Sequence, residues 1–156
     1  MSLEDPLLRL LARFAEEGVE YVLVGGQAVR LNGFLRATEA IDVLLHPTRE
    51  NGERVKRALS FLASARELDP AWFEPRQAEL ENIRVADDLI VDLLFAANGE
   101  TYQSMQPYAR QVIVDGVPIR VLNIDGLLRT KTDSREKDLL DKRMLERIRR
   151  GLGKEG

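Results

Sequence analysis

Two short apolar runs in this chain each carry one aspartate among hydrophobic residues. Asp42 lies in the run Ile41 to Leu45, and Asp92 lies in the run Leu89 to Phe95. Both runs have the length and composition of buried strands. Even a neutral polar group costs about 2–7 kcal/mol when it is buried without a partner. We therefore expect the two carboxylates to share a cation, whereas capping by arginine or by backbone amides would explain either aspartate alone.

Segments with helical and strand-like patterns alternate along the chain. The spacing of apolar residues predicts helices over residues 5–17, 27–34, 48–65, 124–130 and 134–149. Strands are predicted over residues 21–24, 41–45, 81–86, 89–95, 111–114 and 117–122. Asp87-Asp88 and Asp115-Gly116 are typical hairpin turns. This order predicts an α/β (α+β) fold in which helices flank a mixed β-sheet.

The composition excludes several kinds of site. The 156 residues contain no cysteine and one histidine, His46, which rules out disulfides, cysteine-ligated zinc, iron–sulfur clusters and thiol nucleophiles. Lys and Arg number 23 against 26 for Asp and Glu, and this balance argues against binding of nucleic acid through bulk charge. With 44% hydrophobic residues and neither a signal peptide nor a membrane span, we expect a single cytoplasmic domain over residues 1–156.

A glycine pair, Gly25-Gly26, stands between the first predicted strand and the helix at 27–34. Glycines at such a junction let the backbone approach a ligand closely, and a helix N-terminus offers N–H groups and a partial positive charge. These features suit a phosphate group. A tight strand-to-helix turn explains the same pair, so the glycines alone do not decide between the two interpretations.

Taken together, these segments resemble the nucleotidyltransferase fold shared with DNA polymerase β, and within it the small bacterial AbiEii-type toxins and their uncharacterised relatives. The family pattern is a strand ending in Gly-Gly, then Arg-x-Thr-x-Asp-x-Asp, then a third aspartate on a later strand. The corresponding residues here are Gly25, Gly26, Arg36, Thr38, Ala40, Asp42 and Asp92. The run Lys131 to Asp141 is similar to the family's C-terminal helix, so the resemblance covers residues 20 to 148.

The resemblance implies Mg²⁺-dependent transfer of a nucleoside monophosphate from an NTP to a hydroxyl group on a protein, an RNA or a small molecule. It implies that Asp42 and Asp92 are catalytic and bind the metal. The substrate-binding residues that it implies are Gly25, Gly26, Arg36, Thr38, Lys131 and Arg135. From the lack of a long apolar run we expect no contact with a membrane.

The family's first metal-binding aspartate corresponds to Ala40 in this chain. Residues 40 and 42 of a strand point to the same face, whereas Glu39 points to the other. A methyl group does not coordinate a metal ion, so we expect Mg²⁺ binding and transfer to be weakened. Two hypotheses follow: an impaired nucleotidyltransferase, or an inactive module that binds a nucleotide or a partner protein, for example in a toxin–antitoxin pair.

Overall fold

The computed structural model describes residues 5–25, 27–28, 40–74 and 82–130. Within these ranges the strands form one six-stranded sheet with the order β3-β4-β2-β1-β6-β5. The strands are β1 (Tyr21–Val24), β2 (Ala40–Leu45), β3 (Ile83–Ala86), β4 (Ile90–Leu94), β5 (Ala109–Val114) and β6 (Val117–Leu122). β2 runs parallel to β4 and β1 runs parallel to β6, whereas the other neighbouring pairs are antiparallel. The sheet is therefore mixed, as the sequence predicted.

Helices flank this sheet. In the described ranges they are α1 (Pro6–Glu17), α2 (Arg49–Ala58) and α3 (Ile124–Thr130), with 3₁₀ segments at Ala63–Glu67, Pro70–Phe73 and Gln106–Tyr108. α1 packs against α2 and β6. This arrangement confirms the predicted α/β class. None of the helices in the part of the chain described is long and apolar enough to cross a membrane.

The capping residues explain where α1 and α2 begin. The Asp5 carboxylate accepts a hydrogen bond from the Leu7 N–H at 2.9 Å, and the Thr48 hydroxyl accepts one from the Asn51 N–H at 3.0 Å. Gly18 ends α1 with a φ of 69°, a left-handed conformation that glycine adopts at little cost. Of the other predicted helices, 134–149 and most of 27–34 lie outside the described residues.

The predicted helix over residues 48–65 was too long. α2 ends at Ala58, and the chain continues through a turn into the 3₁₀ segment Ala63–Glu67. The carboxylate of Asp87, in the turn between β3 and β4, accepts bonds from the Ser64 N–H at 3.0 Å and the Ser64 hydroxyl at 2.9 Å. Leu62 is buried all the same. The helical spacing of apolar residues therefore predicted which residues are buried. The change from α-helix to a 3₁₀ segment is accompanied by the Ser64–Asp87 contact, which is distant in sequence.

Both predicted hairpins are present, with one difference in length. Asp115 and Gly116 have φ values of 49° and 81°, as a two-residue hairpin turn requires. Between β3 and β4, Ala86 pairs with Ile90, which leaves the three residues 87–89 in the connection. The expected two-residue turn at Asp87-Asp88 was one residue too short, and this changes which residues face each other.

The buried apolar residues of the described ranges form one core cluster. Phe14 of α1 packs edge-on against Tyr21 with ring centroids 5.0 Å apart, and Phe73 packs in the same way against Phe95 at 5.3 Å. Trp72, which precedes Phe73, is 43% exposed. The aromatic pair at 72–73 is therefore divided between the core and the surface.

Candidate functional site

Asp42 and Asp92 lie side by side on two adjacent strands. β2 and β4 are parallel neighbours, and their register pairs Asp42 with Asp92. Residues opposite each other in a ladder share a face of the sheet, so both carboxylates project to the same side. The adjacent residues Ile41 and Val91 belong to the other face and are buried. The predicted proximity of the two aspartates is thus confirmed, and it results from the parallel pairing of β2 with β4.

Gly25 follows β1 and lies against Asp42. Val24, the last residue of β1, pairs with Asp42 across the antiparallel ladder. Gly25 has a φ of 69°, and a Cβ atom built at this position would lie 2.9 Å from the Asp42 Cγ and still closer to Oδ2. Because real Cβ atoms do not approach other atoms so closely, the Asp42 side chain occupies space that only glycine leaves open. This contact accounts for Gly25 with or without a bound phosphate.

Arg84 completes the row of charged residues across the sheet. It is paired with Asp92 in the antiparallel β3–β4 ladder. Its Nε donates to Asp92 Oδ1 at 2.8 Å and its Nη2 donates to Asp92 Oδ2 at 3.0 Å. This is the two-pronged geometry in which guanidinium and carboxylate groups bind most strongly. The sequence did not indicate Arg84, because the two-residue turn predicted at Asp87-Asp88 would have paired Ile83 with Asp92.

The charges of both aspartates act on Arg84. The hydrogen bonds to Asp92 and then its negative charge raise the pKa of the Arg84 guanidinium, and the charge of Asp42 adds to the effect. The Arg84 side chain is 62% exposed and the Asp92 side chain is 18% exposed. A permanently cationic group therefore lies at the solvent-facing edge of the carboxylate pair.

Ala40 occupies the next position toward the start of β2 on the same face as Asp42. It pairs with Ile90, which in turn precedes Asp92 by two residues on β4. The strand period places Ala40 and Ile90 beside the carboxylates. The row next to the two aspartates is therefore apolar where the resemblance would require a third carboxylate.

The described residues, as they are arranged, do not fit a divalent metal ion. Two neighbouring carboxylates supply hard oxygen ligands of the kind that Mg²⁺ prefers. However, the described residues contain no group of three or more His, Asp or Glu suited to a metal ion. In addition, both oxygens of Asp92 are hydrogen-bonded to Arg84. Mg²⁺ binding therefore stays a prediction that follows from the resemblance alone.

The other predicted substrate-binding residues fall outside the part of the chain that the structure describes. They are Gly26, Arg36, Thr38, Lys131 and Arg135. Of the predicted site, the structure therefore brings together Asp42, Asp92 and Gly25, and adds Arg84 to them.

His46, the single histidine of the sequence, contacts residues that join the end of β2 to the segment before β1. Its Nδ1 lies 2.6 Å from Glu20 Oε2, and its ring stacks on Tyr102 with the centroids 5.1 Å apart. Its backbone carbonyl accepts a hydrogen bond from the Asn51 side chain at 3.0 Å. These contacts hold the end of β2 against the segment before β1.

Comparison with protein-family models and with curated proteins finds no match for this sequence.

Proposed function

We propose that this chain is a nucleotidyltransferase-type domain that binds a nucleoside triphosphate and in which nucleotide transfer is impaired. The observation that supports this proposal best is the in-register pair Asp42 and Asp92 on parallel neighbouring strands, with Gly25 packed against Asp42. Two carboxylates in such proximity favour a nearby positive charge. The resemblance in the order of the motifs along the chain supports the same class of function.

The reaction proposed for this class is displacement at the α-phosphorus of an NTP. An acceptor hydroxyl oxygen forms the new bond to phosphorus, the bond to pyrophosphate breaks, and the hydroxyl proton leaves to a base or to water. The Ala40 side chain supplies no oxygen ligand beside Asp42, and the Arg84 guanidinium donates hydrogen bonds to the Asp92 carboxylate. These two observations support impaired transfer, whereas the glycine turn proposed to hold the phosphates does not depend on Ala40.

Calorimetric titration of the full chain with ATP, GTP, CTP and UTP, with and without Mg²⁺, tests nucleotide binding. We expect saturable binding of at least one of the four nucleotides. If the folded protein binds none of them under either condition, the proposal is wrong and a role without nucleotide is left.

The variant Ala40→Asp tests whether transfer is impaired by the missing ligand. It adds a carboxylate to the face that carries Asp42, and we expect metal-dependent transfer or hydrolysis to rise on the order of tenfold or more, because even residues that only support metal ligands affect activity by about 10–100-fold. The measurement is the release or transfer of labelled NMP. Ala40→Asp combined with Asp42→Asn is the control, and it should lose the gain. Equal rates for Ala40→Asp and the original chain would contradict an impaired metal site as the cause.

A further inference from the structure

The Asp92 carboxylate already has a cation bound to it, the guanidinium of Arg84. Both of its oxygens accept hydrogen bonds from this group, at 2.8 Å and 3.0 Å. A divalent ion that coordinated the same two oxygens would have to displace the guanidinium. An ion that coordinated only one oxygen would lie within a few ångströms of a positive charge and would be repelled by it.

The position of Arg84 depends on the register of the β3–β4 hairpin. Arg84 pairs with Asp92, and Asp92 pairs with Asp42 on the next strand, so the three residues form one row. Side chains in such a row lie at the strand spacing of about 4.8 Å. Among the described residues, the guanidinium charge of Arg84 is thus held beside the two carboxylates, and it partly neutralises them.

The Arg84 side chain is also able to leave this position. It lies on β3, one of the two edge strands of the described sheet, and 62% of it is exposed. Because water already reaches its guanidinium, Arg84 can exchange the carboxylate for water without a change of burial. Ala40 lacks a ligand permanently, whereas the obstruction by Arg84 is reversible.

We propose that Arg84 is the built-in counter-cation of the Asp42–Asp92 pair and that it competes with divalent metal ions for these carboxylates. The inference rests on the proposed function for the idea that the pair is a cation-binding site. It adds to that function a residue that lowers the affinity for metal ions, in addition to the weakening expected from Ala40.

The test is a double-mutant cycle in the full chain, with Mn²⁺ binding as the readout. The four proteins are the original chain, Ala40→Asp, Arg84→Gln and the double variant, and free Mn²⁺ is measured by electron paramagnetic resonance. We expect Arg84→Gln to raise Mn²⁺ affinity on the order of tenfold in the Ala40→Asp background, because a unit charge is removed next to a divalent ion. Arg84→Lys keeps the charge and should recover most of the original low affinity.

Arg49→Gln is the matched control for the change in net charge. The Arg49 side chain is 61% exposed and forms an ion pair with Glu74 at 3.2 Å, so it matches Arg84 in exposure and in having a carboxylate partner. It lies on α2 and its removal should leave Mn²⁺ affinity unchanged. Circular dichroism and thermal unfolding establish that each variant is folded.

Three results would overturn the inference. They are equal Mn²⁺ affinity with and without Arg84, an equal rise for Arg49→Gln, and no Mn²⁺ binding by the folded double variant. Nucleotide titration of the same proteins separates this inference from the proposed function. If removal of Arg84 raises Mn²⁺ affinity but no NTP binds, the proposed function is wrong and the role of Arg84 stands. If an NTP binds but the Mn²⁺ affinity does not depend on Arg84, the role of Arg84 is wrong and the proposed function stands.

Discussion

At Gly25 the absence of a side chain is what makes room for the Asp42 carboxylate. The backbone there is left-handed with a φ of 69°, and the space where a Cβ atom would lie is taken by Asp42. Two separate constraints therefore act on one residue, one from its own backbone and one from its neighbour on β2. The glycine pair in the sequence indicated the backbone constraint. It did not indicate the contact with Asp42, because that contact arises from strand pairing.

Gly25→Ala is expected to lower the free energy of unfolding by about 3 kcal/mol, since a left-handed alanine costs roughly 1–2 kcal/mol and the overlap with Asp42 adds to that cost. The measurement is urea denaturation. Gly18→Ala is the matched control, because Gly18 has the same φ of 69° and an added Cβ atom there meets nothing within 4 Å. Equal losses in the two variants would contradict a close contact between Gly25 and Asp42.

Among the elements, the hairpin β3–β4 decides which residue meets Asp92. The predicted two-residue turn would have placed Arg84 opposite Val91, on the buried face of the sheet. The three-residue connection pairs Arg84 with Asp92 instead. A shift of one residue moves every side chain of a strand to the other face. The bonds from Ser64 to Asp87 in this connection are therefore relevant to the site, although they lie outside it.

The Asn51 side chain joins α2 by hydrogen bonds to the residues next to β1 and β2. It is fully buried, its Oδ1 accepts from the Glu20 N–H at 2.8 Å, and its Nδ2 donates to the carbonyls of Glu20 and His46 at 2.9 Å and 3.0 Å. Glu20 precedes β1 and His46 follows β2. One amide side chain therefore joins a helix to the adjoining ends of two antiparallel strands.

Asn51→Ala is expected to lower the free energy of unfolding by about 2–4 kcal/mol, because it leaves a buried N–H group and two carbonyls without this partner. Chemical denaturation followed by circular dichroism measures the loss. Asn82→Ala is the control: Asn82 is exposed and accepts a single bond, from the Phe95 N–H at 2.9 Å, so its loss should cost about 0.5–1.5 kcal/mol. Similar costs for the two variants would show that Asn51 does not join these elements.

At the scale of the whole molecule, the packing of α1 on the sheet buries an ionisable group. Tyr21 of β1 is 4% exposed, and its hydroxyl oxygen accepts a hydrogen bond from the Arg120 N–H of β6 at 3.2 Å. Burial raises the pKa of Tyr21 from 10.0 to about 12, against the smaller lowering effect of Arg120. The folded protein therefore holds the phenolic proton more tightly than the unfolded chain does.

This pKa makes the stability depend on alkaline pH. Below pH 10 Tyr21 is protonated in both the folded and the unfolded state, and its contribution to the free energy of unfolding is fully present. Between the unfolded pKa of 10.0 and the folded pKa of about 12, the unfolded chain loses the proton first, and this contribution is lost. We expect the free energy of unfolding to fall by about 3 kcal/mol over this range, at 1.36 kcal/mol per pKa unit. Urea denaturation from pH 8 to 12 measures it, with Tyr21→Phe as the control that lacks the titration. A constant difference between the two proteins across this range would contradict a buried phenol.

The sequence by itself determined the segments that become helices and strands and the two aspartates that come together. These features depend on neighbouring residues: the capping by Asp5 and Thr48, the turn at Asp115-Gly116, and the apolar runs around Asp42 and Asp92. Such local signals can be read in order along a chain.

Only the tertiary structure decided the register of β3 with β4, the end of α2 and the buried position of Asn51. Each of these features involves contacts that no local pattern encodes. The Ser64–Asp87 bond spans 23 residues and the bonds of Asn51 to Glu20 span 31. Arg84 reaches Asp92 only because one extra residue in a turn reverses the faces of a strand. The cation beside the carboxylate pair is thus a product of pairing geometry, which forms when the strands meet.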